Sequence, residues 1–131
     1  MNIGQAAQSS GISAKMIRHY ESIGLLAPAR RSASGYRVYG DSDLHTLRFI
    51  KRSRQLGFPL ERIRELLSLW QDRARASADV KSIALEHARQ LERQIADLGA
   101  MRDTLQRLAA DCAGDNRPDC PIIHELAESR G

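Results

Sequence analysis

The segment Gly11-Ile12-Ser13-Ala14-Lys15-Met16-Ile17-Arg18-His19-Tyr20-Glu21-Ser22-Ile23-Gly24 decides the fold. Ser13 is an N-cap type of residue, and the spacing predicts a helix from Ala14 to about Ile23 that stops at Gly24, which can take the left-handed conformation. Upstream, Ile3 to Ser10 reads as a shorter helix, with a tight turn at Gly11. Ile3, Ala6 and Ala7 on the first helix, with Ile17 and Ile23 on the second, form a small apolar seam. Two short helices joined by a glycine turn outline a helix-turn-helix.

Working downstream, Pro28 ends any helical continuation. Arg30-Arg31-Ser32-Ala33-Ser34-Gly35-Tyr36-Arg37-Val38-Tyr39 then reads as a hairpin wing, with a turn at Ser34-Gly35 and an extended end. Asp41 or Ser42 is expected to cap a third helix that turns Leu44, Leu47, Phe49 and Ile50 inward and stops at Gly57. Phe58-Pro59-Leu60 restarts the chain into a fourth, with Ile63, Leu66, Leu67 and Trp70 at helical spacing. Residues 71–79 read as a linker, in which Ser77 or Asp79 can cap the next helix.

From Val80 to about Asp111 there is no proline and a single Gly99, enough for a helix of about 48 Å at 1.5 Å per residue. Leu91, Leu98 and Leu105 recur at seven, with Ala84 and Cys112 in register and Ala88, Ile95, Arg102 and Ala109 as the partner positions. So narrow and long a stripe is expected to be buried against a second copy, as a coiled coil in a homodimer. The expected fold class is therefore mainly α. A winged helix-turn-helix DNA-binding head (1–70) and linker (71–79) precede a dimerisation helix (80–111) in a parallel or antiparallel coiled coil, then a metal-binding loop with a short terminal helix (112–131).

Composition narrows the function classes. The 131 residues are 42% apolar and 27% charged, which suits an ordered soluble domain rather than a disordered chain. No apolar run reaches the roughly 18 residues of a membrane span, and residues 1–10 lack the basic and apolar regions of a secretory leader. With two cysteines a disulfide scaffold is excluded, and a cytoplasmic protein without a membrane partner is expected. Charge is divided along the chain. Residues 1–70 hold 11 Lys/Arg against 5 acids, whereas residues 71–131 hold 9 against 11. A basic head on a mildly acidic tail points to a polyanion as the head's partner.

Enzymatic fingerprints are missing. The glycines form neither a dinucleotide nor a P-loop motif, no G-x-S-x-G or H-E-x-x-H occurs, and the four histidines are scattered. A helix-turn-helix, by contrast, puts its second helix in the major groove. Lys15, Arg18 and His19, with Tyr20 adjacent, are the candidate contacts there, and Arg31, Tyr36 and Arg37 on the wing are placed for phosphates. Six aromatics in all argue against a base-stacking single-strand binder.

Cys112 and Cys120 form a C-x7-C pair in a loop, half of a structural zinc site, which His124 and Asp115 or Asp119 could complete. Two thiolates alone suit a monovalent soft ion: Cu(I), Ag(I) or Au(I). The resulting charge of −1 gains from a helix N-terminus, and Cys120 just before Pro121 would sit at one. From the residues alone, a soft-ion site, a zinc site, a redox pair and two unrelated thiols all stay open.

Taken together these pieces resemble the MerR family of transcription regulators. The resemblance rests on Met1-Asn2-Ile3-Gly4, Ile17-Arg18-His19-Tyr20-Glu21-Ser22-Ile23-Gly24-Leu25-Leu26, Arg31, Ser34-Gly35-Tyr36-Arg37-Val38-Tyr39, Leu56-Gly57-Phe58-Pro59-Leu60-Glu61 and the long helix. Within the family, Ala76-Ser77-Ala78-Asp79-Val80-Lys81, Met101-Arg102-Asp103 and Cys112 to Ile123 are similar to the CueR-type copper-efflux regulators. Divalent-metal members usually carry a cysteine at the start of the dimerisation helix. Ser77 stands there in this chain, which implies a monovalent ion and makes Ser77 a non-ligating selectivity position. Ala113 and Pro118 flank the cysteines as in the gold-responsive subgroup.

The resemblance implies a homodimer on promoter DNA, with Cys112 and Cys120 as metal ligands. It would distort the promoter on binding Cu(I), Ag(I) or Au(I), so that RNA polymerase can use it, and activate efflux or detoxification genes. Two rivals are a sensor of a divalent ion such as Zn(II) that uses His124, and a metal carrier with no DNA role.

Overall fold

The structure, a computed structural model, describes residues 1–128. It is mainly helical, and the chain divides into two compact units, Met1–Val80 and the residues from Lys81 onward.

In the first unit, α1 (Ile3–Ser10) is closed at its start by a reciprocal pair. The Asn2 side chain accepts from the Gln5 amide at 2.8 Å, and the Gln5 side chain accepts from the Asn2 amide at 2.9 Å. The chain reverses at Gly11, whose φ of 73° is left-handed and whose amide donates to the Ala7 carbonyl at 2.9 Å. Ser13 then caps α2 (Ala14–Ser22) by accepting from the Met16 amide at 3.2 Å. Gly24, with φ 76°, lets the chain double back, so that the Leu25 and Leu26 amides both donate to the Tyr20 carbonyl and both leucines enter the core.

A two-stranded antiparallel wing follows, β1 (Arg30–Arg31) with β2 (Arg37–Val38), in the register Arg30 opposite Val38 and Arg31 opposite Arg37. The third helix, α3 (Asp41–Gln55), differs from expectation at its start: neither Asp41 nor Ser42 is the cap. Gly40 takes that position, and the Asp43 carboxylate accepts from its amide at 2.9 Å. Leu44, Leu47 and Ile50 are buried as the periodicity predicts. After Pro59, α4 (Leu60–Gln71) buries Ile63 and Leu67. Trp70 departs from the expected inward face. It is 41% exposed and stacks on half-buried Phe49, with ring centroids 4.8 Å apart.

Packing gathers these elements around one core. Ala6, Ile17, Leu26, Tyr39, Leu47, Ile50 and Ile63 are all essentially closed to solvent. Arg64 of α4 reaches across to donate to the Ile23 carbonyl at 2.7 Å, which caps the end of α2 from another helix.

The long helix α5 runs Ser77–Ala110, beginning three residues before the expected Val80, with Ser77 as its first residue and Asp79 in its first turn. Its 34 residues span about 51 Å. Of these only Ile83 is buried. Leu85, Ile95, Leu98, Met101 and Leu105 stay exposed, Ile95 by 68%. The final helix, α6 (Pro121–Ala127), starts with proline at its first position, where the missing N–H costs nothing.

Gly11→Ala should destabilise the protein by roughly 1–2 kcal/mol, because the added Cβ disfavours positive φ. A urea denaturation midpoint checks this. The added Cβ would also meet the Lys51 ammonium, but that flexible side chain can swing away, so the backbone sets the cost.

Candidate nucleic-acid interface and metal centre

The period of α2 sorts its side chains. Ile17 and Tyr20 point into the core, while Lys15, Arg18 and His19, at spacings of three and four, lie exposed on the opposite face. Tyr20 is thus a correction to the expected contact set. Only 5% of it is exposed, and it belongs to the core cluster, where it supports the helix from behind.

On the wing, Tyr36 projects into solvent, 75% exposed. Arg31 is exposed too, and its guanidinium donates to the Gly35 carbonyl at 3.0 Å, which braces the turn. Arg37 is only half-open. It faces the Glu21 carboxylate of α2 at 3.7 Å, and the other oxygen of that carboxylate accepts from the Tyr39 hydroxyl. Burial, followed by the Glu21 hydrogen bond and charge, raises the Tyr39 pKa above its ordinary value. Glu21 and Tyr39 were not among the expected site residues. The signal was available: Glu21 lies four residues after Ile17, on the same inward side of α2.

In the second unit the two cysteines come together. Cys112 lies two residues past the end of α5, and its thiol donates to the Cys120 sulfur at 3.5 Å. Both are free and half-buried. Cys120 occupies the N-cap position of α6. It makes no full side-chain cap bond, yet the Ile123 amide, then Cys112, then the Ile122 amide hold its thiol below the ordinary range.

The rest of the loop is fixed by Asp115, which accepts from the Arg117 backbone amide and from its Nε, both at 2.9 Å, with Nη2 at 2.8 Å. Those bonds from Arg117 lower the Asp115 pKa. A hollow of about 760 Å³ opens beside the loop, with Asp111, Asp119, Cys120, Ile123 and His124 on its wall. Ala113 and Pro118 also line it, exposed, and neither offers a donor side chain.

The donor set fits a soft ion of low coordination number: two adjacent sulfurs, one of them biased toward thiolate. A four-ligand site is not brought together. Among the described residues no three His, Cys, Asp or Glu side chains cluster as metal ligands, and the His124 ring faces Glu128 at 3.3 Å. Ser77 is exposed and heads α5, whereas Cys112 follows the helix's last turn.

The family profile described as MerR HTH family regulatory protein matches residues 1–70, and the one described as MerR, DNA binding matches residues 44–108. This chain belongs to the MerR family. It is 62% identical over all 131 residues to the HTH-type transcriptional regulator HmrR of Sinorhizobium medicae, covering 89% of that protein. To the HTH-type transcriptional regulator CueR of Salmonella typhimurium it is 46% identical, with 97% of this chain and 92% of that one covered. Among solved structures, PbrR691 from Ralstonia metallidurans in complex with lead(II) superposes with a TM-score of 0.83 at 29% identity, covering 96% and 98% of the two chains. MerR relatives are transcription regulators rather than enzymes, and among the described residues no helix is long and apolar enough to cross a membrane.

The lowered Cys120 value has a defined pH consequence. A thiol whose folded pKa lies below its unfolded one adds stability above the unfolded value and loses it as pH falls through the folded value. Alkylation of Cys120 in the metal-free protein, followed by mass spectrometry across pH, should therefore show a midpoint below that of an ordinary cysteine near 9.0.

Proposed function

We propose that this MerR-family protein is a cytoplasmic, metal-responsive regulator. It would bind promoter DNA as a homodimer and activate efflux or detoxification genes in response to Cu(I), Ag(I) or Au(I). The observation that carries the metal assignment is the sulfur pair, 3.5 Å apart, with no third ligand clustered on it among the described residues. The likeness to the heavy metal-dependent transcription regulator 2 of Rhizobium meliloti, 61% identical over 127 residues, supports metal response in general.

In this reading Lys15, Arg18 and His19 address the major groove. Arg31, Tyr36 and Arg37 address the backbone, where each neutralised phosphate releases counterions. Dimerisation covers the stripe that α5 leaves exposed, Ile95, Leu98, Met101 and Leu105 included. Ser77, at the head of α5, offers a hydroxyl where a thiol would add a further sulfur, and is the non-ligating selectivity position. Cys112 and Cys120 would hold the ion through their sulfurs, and the ion would supply positive charge to offset theirs. The residues around it restrain the loop: Asp115 clamps Arg117, and Cys120 faces the first amides of α6. Regulation requires that the site favour the activating conformation of the heads over the repressing one, by linkage. RNA polymerase would then meet promoter elements realigned by DNA distortion.

A divalent reading draws on the likeness to solved structures holding lead(II) and mercury(II). X-ray absorption of the loaded protein separates the two: two sulfurs alone support the monovalent site, and additional nitrogen or oxygen ligands support the rival.

Cys112→Ser or Cys120→Ser should abolish ion-dependent transcription in vitro while leaving promoter affinity within about twofold, read by gel shift under reducing conditions. Arg18→Ala should weaken DNA binding and lower the salt slope by about one. Leu98→Lys should shift the protein toward monomer in sedimentation, since it places a charge in the middle of the exposed stripe.

A further inference from the structure

We infer that Glu21 is a positioning residue: it holds the guanidinium of Arg37 inward by one nitrogen and so aims the remainder of that side chain at a DNA phosphate. The inference rests on the reading that the wing docks on duplex DNA. The Glu21 carboxylate is 10% exposed and has both oxygens engaged, one accepting from the Tyr39 hydroxyl and the other facing Arg37 Nη1 at 3.7 Å. That nitrogen is shut off from solvent and has no hydrogen-bond partner, yet 38% of the Arg37 side chain remains exposed.

A surface pair free to relax would not leave a charged nitrogen buried and unbonded, because such a group loses its hydration without replacement. The arrangement persists because Tyr39 over-determines it. Its ring is fully buried, and its backbone amide donates to the Met1 carbonyl at 2.7 Å. Tyr39 fixes Glu21 and also bonds to Arg37, Glu21 fixes one end of the Arg37 fork, and part of that side chain stays open to solvent. The knot also joins α2 to the wing, the two elements that must reach the duplex together.

Charge alone and positioning predict opposite signs. An acid in a DNA-facing unit repels the polyanion, so removing it by Glu21→Gln would tighten binding if repulsion were its main effect. Positioning predicts that the same substitution loosens binding. The measurement is titration of each variant onto a duplex selected from a randomised pool by the wild-type protein, at several salt concentrations. Glu21→Gln is expected to bind about fivefold more weakly, with a salt slope shallower by about one phosphate equivalent. Arg37→Ala should do the same, and the double variant should be no weaker than either single one.

Tyr39→Phe, which keeps the buried ring and deletes only the hydroxyl, should shift affinity in the same direction. It serves as the readout if thermal melting shows that Glu21→Gln does not fold. Equal or tighter binding by Glu21→Gln, or additive losses in the double variant, overturns the inference while leaving DNA binding intact. For a misfolded Glu21→Gln, unchanged affinity of Tyr39→Phe overturns it. If the wild type enriches no duplex from the pool, the DNA-binding reading falls and this inference falls with it.

Discussion

Burial of Ile17 and Tyr20 is the constraint on which the DNA-facing unit depends. A helix as short as α2 has too few hydrogen bonds to stand alone in water, so its existence rests on the apolar face it presents to α1 and to the shared core. Once that face is docked, the 3.6-residue period leaves no choice about the other one: Lys15, Arg18 and His19 must point away. The same core contains Tyr39, immediately after β2, so the wing is tied to the helix through packing as well as through Glu21. The protein's basic surface is a by-product of how its core is assembled.

The long helix shows the opposite condition. The core around α1 to α4 closes on itself, whereas α5 carries Leu85, Ile95, Leu98, Met101 and Leu105 in the open. At about 25 cal/mol per Å² of apolar surface, leaving such a row in water forfeits several kcal/mol that a second helix would recover. The proposed homodimer would recover it with the sequence already present, because Leu91, Leu98 and Leu105 recur at seven and so can match their own copy.

Much of this was legible in the sequence because the signals are local. Gly11, Ser13 and Gly24 act through backbone conformation or a bond within three residues, and the reading of α1, turn and α2 follows from them. Leu44, Leu47 and Ile50 follow from period alone. Legibility ends where the decisive contact is distant in sequence. Tyr20 looked like a neighbour of Arg18 and His19, but its side chain turns with Ile17 into the core. The capping of α3 by Asp43 through Gly40 inverts the usual order of cap and helix, and Trp70 finds a stacking partner 21 positions away in Phe49. The pairing of Cys112 with Cys120 was proposed from their types, yet the amides that bias Cys120 become visible only with the start of α6 in place.

Those amides decide how the loop can tolerate its own charge. Two thiolates with a monovalent ion leave a net −1, and Asp111, Asp115 and Asp119 surround the same hollow. Such a cluster of acids should oppose the anionic complex and favour a divalent ion, whose complex with the same sulfurs is neutral. Two features of the structure work against that outcome. Asp115 is committed to Arg117 by three short contacts, so its charge is matched locally before it reaches the sulfurs. Cys120 is the N-cap of α6, where the Ile122 and Ile123 amides present partial positive charge to its sulfur and Pro121 contributes no N–H. In the proposed monovalent site the compensation would thus come from the Arg117 guanidinium at Asp115 and from the first amides of α6 at Cys120, and neither offers a competing ligand.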